Sequence, residues 1–156
     1  MMKNKINLLL GLALLVLIAL ACNVQGDGDS LTLTSARISD LKFGRNREAN
    51  PPSDTFNSKD QIFIRATIAN TSGKHKVKFR LWYDDVKGKK SGELLEDIGE
   101  TDFDLSGDGS PFIEVSRKSG IDVGRYKAEA ILLDEEGKKE IDRKVGTFNV
   151  VGSARE

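Results

Sequence analysis

Lys76-Val77-Lys78-Phe79-Arg80-Leu81-Trp82-Tyr83-Asp84 is the stretch that decides the fold. In an extended chain, Val77, Phe79, Leu81 and Tyr83 fall on one face and Lys76, Lys78 and Arg80 on the other. A period of two belongs to a strand with one buried and one wet side. Antiparallel sheets accept that asymmetry, whereas parallel sheets bury both faces. Trp82 is out of phase with the apolar set and shares the face of Lys78 and Arg80.

The same period recurs on either side of this stretch. Ile62, Ile64, Ala66 and Ile68 alternate within 61–70. Tyr126, Ala128, Ala130 and Leu132 alternate within 125–133. In 140–151, Ile141 and Val145 are followed by Phe148 and Val150 after a one-residue change of phase, which predicts a bulge near Gly146. Weaker strands are expected over 31–43, 94–105 and 112–116. Turn residues separate these segments: Pro51-Pro52, Asn70 to Gly73, Lys87 to Gly92, Ser106 to Pro111, and Glu135-Glu136-Gly137. Seven or so short strands in roughly 120 residues predict an all-β, two-sheet antiparallel sandwich over 31–151.

The 156 residues carry 24 Lys or Arg and 24 Asp or Glu, so the formal net charge is zero. A balanced chain has no global field to recruit DNA or RNA, and no nucleic-acid partner is expected. One Cys and one His exclude an internal disulfide and a multi-Cys zinc site. No cofactor is expected.

Ahead of the strands, Lys3 and Lys5 precede a 14-residue uncharged run, Leu8 to Ala21. The run is shorter than the roughly 20 residues that span a bilayer, and reads as an export signal. It ends at Ala19-Leu20-Ala21-Cys22, which resembles the lipobox of bacterial lipoprotein precursors, with Ala19 in place of the usual Leu. The resemblance covers about the first 22 residues. It implies cleavage between Ala21 and Cys22, and acylation of Cys22. It also implies a bacterial cell-envelope location with the membrane held through lipid. Asn23, where an Asp would retain such proteins at the inner membrane, favours the outer one if two are present. Two acyl chains suffice for stable anchoring, at about 0.8 kcal/mol per buried methylene. The expected organisation is a signal peptide over 1–21, lipidated Cys22 and a polar, Gly-rich tether over 22–30, the sandwich over 31–151, and a tail over 152–156.

Within the strands, Asp122-Val123-Gly124-Arg125-Tyr126-Lys127-Ala128 resembles the Asp-x-Ala/Gly-x-Tyr-x-Cys segment of immunoglobulin-like domains. Gly124-x-Tyr126 is likewise similar to the entry strand of bacterial fibronectin-like modules. The resemblance implies an immunoglobulin-like sandwich. In it the Tyr126 hydroxyl would bond back to upstream backbone, forming a corner with Asp122 and Gly124. Ala128, with Ala66 or Ile64 opposite, would stand where that family has its disulfide. Trp82, 16 residues after Ala66, lies close to the family's core Trp.

Candidate chemistry is sparse. Asp102, Asp104, Ser106 and Asp108 with Gly107 resemble the start of a calcium loop. The bidentate acid needed at position 12 is missing there, since that position is Ile113. The other reading is an acidic strand followed by a Gly-rich turn. His75, between Lys74 and Lys76, has no partner His or Cys and reads as a solvated residue. Trp82 has two readings: packed beneath Lys or Arg stems, or a hot spot of a binding surface with Arg80 and Lys78. Residues 74–90 hold seven Lys or Arg against two Asp, and residues 91–110 hold seven acids and no base. Such blocks either face each other across strands or form a bipolar surface.

The sequence therefore points to a non-enzymatic, lipid-anchored envelope protein. Its binding or structural module would meet an envelope protein or polysaccharide. Two alternatives remain: a carbohydrate-active enzyme using paired acids such as Glu96 and Asp102, and calcium-dependent binding through Asp102.

Overall fold

The computed structural model describes residues 35–96 and 98–152. Cys22, Ala21, the export segment and the tether lie outside the described residues. Eight strands follow one another without a helix among the described residues: β1 (Arg37–Gly44), β2 (Thr55–Asn57), β3 (Ile62–Ala69), β4 (Lys74–Val86), β5 (Glu100–Ser106), β6 (Phe112–Val115), β7 (Gly124–Leu133) and β8 (Glu140–Val151). The chain is all-β, in two sheets. One has the order β1-β3-β6 and the other β2-β8-β7-β4-β5. Every pairing is antiparallel except β2 with β8.

The apolar phase of each long strand builds one core. Ile62, Ile64, Ala66 and Ile68 of β3 are buried, as are Val77, Phe79, Leu81 and Tyr83 of β4 and Tyr126, Ala128, Ala130 and Leu132 of β7. They join a single cluster that draws side chains from both sheets. At one end the cluster is aromatic. Tyr126 stacks on Phe148 at 5.3 Å, Phe43 meets Phe148 at 5.3 Å, and Phe56 stands edge-on to Phe148 at 5.8 Å.

Three sequence expectations need correction. There are eight strands rather than about seven, the extra one being β2, whose three residues pair with Asn149, Val150 and Val151. A strand that short cannot display an alternation. The segment expected as a strand from Leu94 begins its ladder only at Glu100, with Leu94 making an isolated bridge to Trp82.

The third concerns β8. Its pairing with β7 is unbroken from Val150 to Asp142, and the irregularity falls between Leu132 and Leu133, beside Ile141, not near Gly146. Val145 is on the solvent face, 49% exposed, and Ile141 is 38% exposed. The inward phase of β8 carries Asp142, Lys144 and Gly146 instead. Asp142 Oδ2 accepts the Ile38 amide at 2.7 Å, and Lys144 Nζ donates to Ser39 O at 2.6 Å. These bonds fall where β1 slips register against β3, between Ile38 and Asp40, and loses ladder partners. Buried backbone polar groups need such replacements. Inward polar residues thus close the β1 edge, and the apparent phase change is their signature.

Candidate binding surface

The solvent face of the larger sheet is built by alternation and register together. Lys76, Lys78, Arg80 and Trp82 line β4, and β5 brings Asp104, Asp102 and Glu100 opposite the first three. Lys76 Nζ meets Asp104 Oδ1 at 2.6 Å, Lys78 Nζ meets Glu100 Oε1 at 2.8 Å and Asp102 Oδ1 at 3.7 Å, and Arg80 Nε meets Glu100 Oε2 at 2.7 Å. The two opposite charge blocks therefore face each other across neighbouring strands. Glu100 is the hub. The Lys78 ammonium and the Arg80 guanidinium hold its carboxyl below the ordinary glutamate range.

On the other side of β4 lies β7, with Lys127 beside Trp82 and Glu129 beside Arg80. The Lys127 ammonium sits 5.3 Å from the centre of the Trp82 ring, a cation–π contact. Trp82 is half-buried, and its indole nitrogen is shielded without a hydrogen-bond partner. It is not the core Trp that the immunoglobulin-like resemblance suggests. The core positions beside it are Leu81 and Tyr83, and Trp82 packs beneath a lysine on the outer face. Glu129 is buried, with Arg143 Nη1 at 3.3 Å and Lys127 Nζ at 3.7 Å. Lys127 and Glu129 escaped sequence reasoning, although Lys127-x-Glu129 lies in the outward phase of a strand already legible.

Asp102, Asp104 and Ser106 project to the same face along an extended strand, so successive side chains start roughly 7 Å apart. Calcium ligands converge at about 2.3–2.6 Å from one ion, which needs a loop that wraps. Asp108 turns elsewhere: its Oδ1 accepts both the amide and the hydroxyl of Thr71 at 2.8 Å, which draws its carboxyl below the usual range and fixes the turn before β4. The structure does not bring these four residues together. Glu96 pairs with Lys89 at 3.5 Å while Asp102 faces Lys78, so those two acids serve different cations.

At the corner, the Tyr126 hydroxyl donates to Asp122 O at 2.7 Å. Gly124 starts β7 at φ +151°, and a Cβ there would collide with Asp85 O. The Gly-x-Tyr spacing thus combines a close backbone approach with a tethered ring two residues later. His75 is half-buried, pairs in register with Leu105, and keeps Nδ1 shielded without a partner. With Lys74, Asp104, Ser106 and Glu135 it lines an open cavity of about 430 Å³.

No family model matches the chain, and no curated protein matches it. Solved structures do resemble it. A β-glucuronidase from Bacteroides uniformis aligns with 74% of this chain and 14% of its own length, at 11% identity and a TM-score of 0.48. A β-glucuronidase from Bifidobacterium dentium aligns with 74% and 18%, at 17% identity and a TM-score of 0.45. A CARDB domain of a Pyrococcus furiosus protein, in complex with di-metal ions, aligns with 76% of this chain and 93% of its own length, at 12% identity and a TM-score of 0.43.

Proposed function

We propose that the chain is a lipid-anchored protein of the bacterial cell envelope whose immunoglobulin-like β-sandwich is a non-catalytic binding or structural module. The observation that supports the non-catalytic part is the pairing of the two acids that would have to act together: Glu96 meets Lys89 and Asp102 meets Lys78, so they serve different cations. Glu100 is paired with both Lys78 and Arg80 across the strands. Asp102 and Asp104 likewise face β4 lysines. These carboxylates act as struts between strands. The sandwich reading rests on the shared core of the two sheets and on the Tyr126–Asp122 corner. The anchor rests on Ala19-Leu20-Ala21-Cys22 and the apolar run before it.

Fractionation and intact mass of the full chain expressed in a bacterium test this reading. The expected result is membrane association and a mass increment of lipid on Cys22, both lost in Cys22→Ser or with globomycin. Hydrolysis of an envelope glycan that disappears in Glu96→Gln or Asp102→Asn contradicts the non-catalytic assignment. A Cys22→Ser chain that stays in the membrane contradicts the anchor.

A further inference from the structure

The larger sheet ends on β5, and among the described residues no strand pairs with its far edge. The register tells which backbone groups lie open. Leu81 N–H donates to Gly99 O at 2.9 Å, and Gly107 N–H to Gly73 O at 3.0 Å. Both pairs continue the single unbroken register of β4 with β5. Hydrogen-bonded pairs alternate along an antiparallel ladder. Thr101, Phe103 and Leu105 therefore bond to β4, and Glu100, Asp102 and Asp104 turn their N–H and C=O groups outward.

The side chains sort the same way. The three residues with open backbone groups carry carboxylates on the solvent face. Asp104 is 85% exposed and Asp102 51%, so each retains room for a second cation. On the inward side Thr101, Phe103 and Leu105 are only half-buried, Phe103 standing edge-on to Phe79 at 5.8 Å. A strand laid along β5 would meet acids on one face and apolar groups at the rim of the core on the other. β5 has neither a proline nor a bulge to prevent this.

A second copy of β5 does not fit, because carboxylates would stand opposite carboxylates, which is unfavourable. Cations on β4 already face the anions on β5, and a row laid along the open side of those anions is complemented by cations. We infer that the β5 edge is a strand-addition site for an extended segment of an envelope protein in which Lys or Arg alternates with apolar residues. This rests on the binding-module reading above and names its partner class.

The test uses the full chain, isotope-labelled in detergent, with a seven-residue peptide alternating Lys and Val as the probe. The peptide is expected to shift the amide signals of Glu100, Asp102 and Asp104 and slow their exchange. A peptide with Glu for Lys, or one methylated on its alternate backbone nitrogens, should bind at least about tenfold more weakly. The double variant Asp102→Lys, Asp104→Lys should reverse the preference between the Lys and Glu peptides. Absence of binding overturns the inference, as does binding unaffected by backbone methylation or centred on other amides. Asp102 and Asp104 amides that already exchange slowly in the free protein also overturn it, since the edge would then be covered. An envelope partner crosslinked through another face leaves the binding module standing while removing the β5 site.

Discussion

The Phe43 ring fills the space in front of Gly146: a Cβ on that glycine would lie 2.7 Å from Phe43 Cζ. The two residues belong to different sheets, so their fit sets how closely β1 and β8 approach. Gly146→Ala should destabilise the fold by about 1–3 kcal/mol through overpacking. Urea denaturation measures this, and Phe43→Leu in the same chain should recover part of the loss because the two sites are coupled. A Gly146→Ala chain as stable as wild type contradicts the packing.

The β1 edge offers a second prediction. Asp142 and Lys144 satisfy backbone groups at Ile38 and Ser39. Asp142→Ala leaves the buried Ile38 amide without its partner and should cost about 1–3 kcal/mol. Amide exchange at Ile38 should quicken before that of β7 does. Equal acceleration everywhere would mean that the bond closes no local edge.

These two contacts also explain what was legible in the sequence. β3, β4 from Val77 to Tyr83, and β7 from Tyr126 to Leu132 each present an unmixed apolar phase, because there the inward residues line the core. β8 does not, because two of its inward positions bind β1 and a third yields its volume to Phe43. Its apolar Val145 lies outside, and alternation alone misplaces the bulge. The calcium-like spacing misleads for a related reason: Asp-x-Asp-x-Ser has the period of a strand as well as of a loop. The charge blocks were visible, but only the register could show that Lys78 and Arg80 converge on Glu100. Trp82 is out of phase with the apolar set, and the lysine that covers it sits on a strand distant in sequence.

The tyrosine corner predicts behaviour in alkali. Burial holds the Tyr126 hydroxyl above its ordinary pKa of 10.0. The unfolded chain therefore releases this proton first, and the stability it contributes is complete below about pH 10 and lost as pH rises further. Tyr126→Phe should cost about 1 kcal/mol at neutral pH and flatten the alkaline decline. An unchanged alkaline slope in Tyr126→Phe would show that this hydroxyl does not govern it.

Glu100 predicts the opposite limb. Its carboxyl is held below the ordinary value of 4.5 by Lys78 and Arg80. Folded Glu100 thus keeps its charge where the unfolded chain takes up a proton. Its contribution is present above that value and lost as pH falls through the lowered one. The group is well exposed, so solvent limits the effect to about 1 kcal/mol or less. Glu100→Gln should shallow the acid limb of the stability profile, and high salt should mimic it. A Glu100→Gln profile parallel to wild type contradicts the hub.

The central claim is that a membrane-held two-sheet module engages a partner without chemically changing it. Crosslinking in living cells, followed by mass spectrometry of the adducts, addresses this most directly. One recurrent envelope component, captured intact through residues of the 35–152 domain and lost in Cys22→Ser, is the predicted result. Recovery of only cleaved glycan fragments, from wild type but not from Asp102→Asn, would contradict it.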